Sequence, residues 1–142
     1  MNDIITTVIG NAVTDVSLRT TTTGVSVASF RIASNSKKFD KGSSSWIEQE
    51  PNYLTVTCWS QLAENSALSV HKGQSLVVTG KLKIRQWQDG EKNGTSVEID
   101  AIAIGHDLNR GTSEFTKIKR ASENFEQDPW TSPSVDTGIN AA

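Results

Sequence analysis

An all-β barrel with one short helix is the fold this sequence predicts, and three observations predict it. Apolar and polar residues alternate at every second position in several runs across residues 4–108, the period of a strand buried on one face. Only Ser60 to Gly73 carries a helical spacing. Turn-forming clusters such as Thr20 to Gly24 and Asp89 to Gly94 punctuate the runs.

Ile4 to Asn11 and Val13 to Leu18 are expected to form a nearly continuous first strand, bent or bulged at Gly10-Asn11. A polar turn of four threonines and Gly24 follows. Val25 to Ser34 alternates again, with Ala28, Phe30 and Ile32 opposite Ser29 and Arg31. In Tyr53 to Trp59, the small apolar Leu54, Val56 and Cys58 oppose Tyr53, Thr55, Thr57 and Trp59. The helix is expected to start near Ser60 as N-cap and to end at Lys72-Gly73, with glycine in the left-handed closing position. Leu62, Ala63, Ser66, Ala67 and Val70 give it a narrow buried stripe. Ser75 to Trp87 is the longest strand, its underside Leu76, Val78, Gly80, Leu82 and Ile84. After the Asp89 to Gly94 turn, a last strand from Thr95 to Leu108 places Val97, Ile99, Ala101 and Ala103 on one side. Three strands, a helix and a hairpin match the five-stranded Greek-key OB-fold barrel, whose second and third strands and flanking loops take oligonucleotides or oligosaccharides. A β-sandwich would need more strands. We assign this domain to residues 1–110. Lys37 to Asn52 reads as a long polar connection without structure of its own, a length that is commonly functional. Residues 111–142 read as a flexible, disordered tail.

Composition narrows the function. The 142 residues carry a net charge of −2. Residues 1–111 hold 11 Lys and Arg against 11 Asp and Glu, and residues 112–142 hold 3 against 5. A chain-wide positive field is therefore absent, and any polyanion must be met by a local patch. The single cysteine, Cys58, excludes an intrachain disulfide and a multi-cysteine zinc site, and its apolar setting suits a small core residue. His71 and His106 lack ligand spacing. Asp40, Glu48 and Glu50 share a loop without the rigidity a metal needs, and Gly73 to Gly80 lacks the ending of a phosphate loop. No Ser/His/Asp or Cys/His arrangement suggests itself. The expectation is a non-enzymatic protein with no cofactor and no metal. No secretory signal or membrane span is evident, which suggests a cytoplasmic, nucleoid-associated location.

The site candidates cluster by strand face. Lys81, Lys83, Arg85 and Trp87 share the upper side of the longest strand. Like charges two apart repel one another, whereas a polyanion along the strand would reward them and the indole offers a stacking surface. The plainer reading is that edge-strand lysines only deter aggregation. Tyr53 and Trp59, six positions apart on one face, stand about 20 Å from each other and, with Trp87 expected on the neighbouring strand, could stack bases on the same side as those cations. Phe39 and Trp46 lie in a polar loop beside Lys37, Lys38 and Lys41; they could close over a bound strand, or tuck against the barrel or a partner subunit. Arg31 and Lys72 are candidate phosphate contacts.

In order and spacing, several segments match one family. Val8-Ile9-Gly10-Asn11 with Asp15, Val27 to Ala33, Val56-Thr57-Cys58-Trp59 with Leu62-Ala63-Glu64, Lys72-Gly73, Val77 to Leu82 and Arg85-Gln86-Trp87 together make residues 4–108 resemble the bacterial-type single-stranded DNA-binding proteins. The resemblance implies binding and protection of exposed single strands in DNA replication, repair and recombination, as a homotetramer of OB-folds. It puts Tyr53, Trp59 and Trp87 at positions where family members stack bases. Another such position falls on Lys38. Members serving replication end in an acidic tip closed by Ile-Pro-Phe that recruits partner enzymes; Val135 to Ala142 does not match it, which implies a paralogue or mobile-element version without the usual docking. Asp128-Pro129-Trp130 is the one other short motif in the tail. The competing expectation is an OB-fold assembly module whose aromatic face meets proteins of replication or recombination, with weak or no DNA binding.

Overall fold

A computed structural model describes residues 2–119; the tail motif around Trp130 and the C-terminal tip lie outside them. Eight strands and one helix follow in order: β1 Ile5–Ala12, β2 Ser17–Thr20, β3 Ser26–Ser34, β4 Lys37–Asp40, β5 Ser45–Glu48, β6 Asn52–Trp59, α1 Ser60–Ser69, β7 Ser75–Asp89 and β8 Lys92–His106.

Six of the strands close a barrel in the order β1-β7-β8-β6-β3-β2, and β3 returns to β1 through Asn11–Ala33 and Ala12–Ile32. β1 and β2 both pair with β3, so together they are the single expected first strand. The break falls at Val13 to Val16 rather than at Gly10-Asn11. There Val13 N–H donates to the Arg31 carbonyl and Arg31 N–H to Thr14 Oγ1, so the interruption leaves little backbone unpaired. Gly10-Asn11 is instead where β1 changes partner from β7 to β3. All pairings are antiparallel except β6 with β8.

Alternation places the apolar members inside. Ile32, Val56, Leu76, Val78 and Ile99 are fully buried and pack with Ala12, Phe30, Leu54 and Val70. Each side chain of that size contributes roughly 1.5–3 kcal/mol by leaving water. A second cluster joins Ala28 and Cys58 to Ala63 of α1, and Ser26 Oγ donates to Glu64 to hold the helix on β3. Cys58 therefore packs as a small core residue. Burial pushes its thiol pKa up, partly countered by the neighbouring Ser66 hydroxyl, which can donate to the thiolate.

Several local expectations change. The helix ends at Ser69, with Val70 closing it through the Ser66 carbonyl, and Gly73 sits in the turn beyond. Ser60 is inside the helix; Trp59 takes the N-cap position without a side-chain cap. Val70 is core, so the chain leaves the helical path to bury it rather than run on to a glycine stop. The Lys37 to Asn52 connection is not structureless: β4 and β5 form their own hairpin. Ile84 is 60 % exposed because β7 outruns the barrel floor after Leu82. The hairpin turn shrinks to Gly90-Glu91. In β8 a bulge leaves Ile102 without its own partner between Ala101 and Ala103. Side-chain facing reverses there, so Ile104 packs on the core and Ala103 faces out.

His106 is satisfied rather than ligand-like. One ring nitrogen lies 2.7 Å from Ser113 Oγ, the other 3.0 Å from Gln74 Oε1 and 3.2 Å from the Ser69 carbonyl. Among the described residues no helix is long and apolar enough to cross a membrane, and no three His, Cys, Asp or Glu side chains gather as a metal site.

The bulge depends on Gly80, where an added Cβ would overlap the backbone of Asp100 and Ala101. Gly80→Ala should cost roughly 3 kcal/mol, the upper range of overpacking, read as a lower urea midpoint. An unchanged midpoint would show that β8 yields freely at Ile102.

Candidate nucleic-acid interface

Pairing fixes which side chains share the outer surface. Residues directly opposite one another on neighbouring strands lie on one face. Arg31 is opposite Thr55, Thr55 opposite Glu98, and Glu98 opposite Lys83. The next row runs Ser29, Thr57, Asp100, Lys81. Both rows face outward, since Leu54, Val56, Cys58 and Ile99 of the alternate rows are buried. The period of two then adds Tyr53 and Trp59 from β6, and Arg85 and Trp87 from β7. The predicted aromatics and cations thus share one sheet surface. They are not on adjacent strands, however: β8 lies between β6 and β7.

None of the five candidate rings is in the core. Tyr53 is 52 % exposed, Trp59 45 %, Trp87 48 %, Phe39 44 % and Trp46 66 %. Tyr53 is backed by Arg31, whose guanidinium carbon stands 5.8 Å from the ring centre while Nη1 donates to Thr55 Oγ1. Trp87 lies opposite Gly94, where a Cβ would come within 2.5 Å of the indole. That glycine gives the ring room to lie back over the hairpin.

Parallel pairing has a geometric result. β6 and β8 run the same way, so the hairpin that precedes each of them leaves the same end of the barrel. One is β4–β5, carrying Lys37, Lys38, Phe39 and Trp46. The other is the far half of β7–β8, carrying Arg85 and Trp87. Phe39 and Trp46 are direct partners across β4–β5, in edge-to-face contact at 5.3 Å and 70°. Within this chain the two rings pack on each other. Asp40 accepts from the Ser43 hydroxyl and N–H, which holds its carboxyl below the usual range and ties the hairpin turn. Beside Tyr53, at the base of the hairpins, opens a groove of about 680 Å³ reached by Asn35, Asn52 and Val97.

The structure adds detail to the setting of four candidate cations. Lys72 sits on the turn after α1, its N–H held by Asp15, at the Ser75 end of β7 and off the sheet face. More important, the row of cations is not left to repel itself. Lys81 pairs with Asp3 at 3.6 Å, Lys83 with Asp100 at 3.6 Å, and Arg85 with Glu98 at 3.5 Å. These acids were missed as site residues. The signal was present, since Glu98 and Asp100 alternate with Val97, Ile99 and Ala101 in β8 and so share the outward phase.

A closed barrel with its helix between the third and fourth barrel strands is the OB-fold. The chain belongs to the single-strand binding protein family: the profile of that family matches residues 1–106. It is 37 % identical over 148 residues to Single-stranded DNA-binding protein 2 of Streptomyces avermitilis, covering 96 % of this chain and 93 % of that one. It is 40 % identical over 115 residues to the single-stranded DNA-binding protein of Corynebacterium glutamicum, covering 80 % and 51 %. Among solved structures it resembles the small single-stranded DNA-binding protein from Streptomyces coelicolor, with a TM-score of 0.71 and 37 % identity over 78 % of this chain and 100 % of that one. The second such protein of Mycobacterium smegmatis gives 0.62 and 31 %, over 82 % and 100 %. The family is non-enzymatic, so this chain is a binding protein rather than a catalyst.

Exposed ion pairs contribute little, typically 0–1 kcal/mol each. Replacing Lys81, Lys83 and Arg85 together by Ala should therefore shift the thermal midpoint by only a few degrees. Loss of folding would mean that these pairs, not the aliphatic core, hold the β7–β8 hairpin.

Proposed function

We propose that the chain binds and protects single-stranded DNA without choosing its sequence, in replication, repair or recombination, and that it does so as a homotetramer. The observation that carries the reading is the set of half-exposed rings, Tyr53, Trp59 and Trp87, on one sheet surface, with Phe39 and Trp46 on a hairpin leaving the same end as Trp87. Stacking contributes roughly 1–3 kcal/mol per base and every base has a flat face, so several platforms give affinity without sequence choice. Arg31, Lys37, Lys38, Lys81, Lys83 and Arg85 border the rings and can meet phosphates. The names of the relatives point the same way.

One observation favours the assembly-module reading: the β7 cations already have carboxylate partners. Magnitudes favour the DNA-binding reading. Three exposed pairs oppose binding by at most about 1 kcal/mol each, whereas three stacking platforms offer roughly 3–9 kcal/mol in total.

Titration with oligo-dT should quench indole emission, and Trp59→Ala or Trp87→Ala should each weaken binding roughly five- to a hundredfold, the equivalent of one lost stack. The salt dependence should be shallow, about −0.7 in log–log slope per phosphate neutralised. Unchanged emission with no gel shift at micromolar protein would remove the reading, and a slope implying ten or more contacts per subunit would contradict its stacking basis. Changing Lys81, Lys83 and Arg85 together to Glu should abolish DNA binding; protein complexes that survive this change while DNA binding was never present would favour the assembly module.

A further inference from the structure

Glu98 and Asp100 occupy the centre of the proposed binding surface, on β8 between the threonines of β6 and the cations of β7. They are a cost to any protein that must hold a polyanion. A core role does not account for them, because their side chains are still 24 % and 30 % exposed. Nor do they add much stability, since their partners Arg85 and Lys83 are 65 % and 49 % exposed and pairs of this kind are worth little. With Asp3 on Lys81, they bring the β7 cations and their partners to a charge of zero.

We propose that Glu98 and Asp100 are specificity residues that make this surface reject duplex DNA while accepting single strands; the proposal deepens the reading above and rests on it. Discrimination is a difference of two affinities, and it can be built by weakening the wrong one. Duplex binding without sequence choice comes almost entirely from phosphates and released counterions. A duplex keeps its base faces stacked inside and turns phosphates toward the protein from both strands. Against β8 it meets two carboxylates and finds Lys83 and Arg85 already engaged. A single strand can turn its bases onto Tyr53, Trp59 and Trp87, so phosphate contacts supply a smaller share of its binding. Neutralising the cations therefore subtracts most of what a duplex would gain and a small part of what a single strand gains.

The test is fluorescence anisotropy of the full chain and of the E98Q/D100N variant with an oligo-dT and with a blunt duplex of equal length, at two salt concentrations. In the variant, duplex affinity should rise about tenfold or more and its log–log salt slope steepen by about 1.8, two further phosphates at 0.9 each. Oligo-dT affinity should rise less than about threefold, since its larger share comes from stacking. Equal gains for both ligands, or no gain for the duplex, overturns the proposal while the functional reading stands. Failure of the unsubstituted protein to bind oligo-dT overturns the functional reading and this proposal together. Should the double variant not fold, Glu98→Gln alone, which frees Arg85, is read by the same criteria with half the slope change.

Discussion

Everything on the outer surface is set by a single layer of aliphatic side chains. Ile32, Val56, Leu76, Val78 and Ile99 interlock at the centre of the barrel, and in a strand the alternate residues must point the other way. Slipping any of these strands by one residue would send its buried members into water and its polar members inside, at several kcal/mol per strand. The core therefore holds Tyr53, Trp59, Lys83 and Glu98 in their positions as firmly as it holds itself. No separate device is needed to orient the site, because it is the reverse side of the packing.

That surface combines two kinds of interaction with different reach. Charge acts across a Debye length, about 8 Å in physiological salt, and does not distinguish one phosphate polymer from another. Ring stacking acts only on contact and needs an unpaired base. Here the long-range component is balanced nearly to zero, locally by the pairs on β7 and globally by equal numbers of acidic and basic residues up to residue 111. The contact component is left open on half-exposed rings. If the proposed stacking reading holds, a surface of this kind trades capture rate for selectivity, since electrostatic steering speeds encounter.

The barrel itself was legible in the sequence because alternation is a local signal. β3, β6 and most of β7 could be read residue by residue, and so could the outward phase of Tyr53, Trp59 and Trp87. What could not be read depends on neighbours distant in sequence. Ile84 alternates like a core residue, but the β1 ladder stops at Ile5–Lys81, so only β8 flanks β7 there and the side chain is left exposed. Ala103 was assigned inward because nothing local announces the unpaired Ile102; the bulge arises where Gly80 lets β8 approach. The β4–β5 hairpin was hidden because serines and lysines fill it, and its one strong pairing, Phe39 with Trp46, spans seven residues. The ion pairs escaped because they join β7 to β8 and to Asp3, and a charge row looks unbalanced until its neighbouring strand is in place. Trp87 and Trp59 were assigned to adjacent strands, where the parallel β6–β8 pairing in fact inserts β8.

That same parallel pairing separates what can vary from what cannot. Both projecting hairpins are connected to the barrel at one rim, beyond the last buried layer, and each begins and ends on strands already locked by the core. Residues could be added to or removed from either one without disturbing a ladder bond in the closed sheet. Chains of this architecture can thus lengthen or trim these fingers while keeping an unaltered palm.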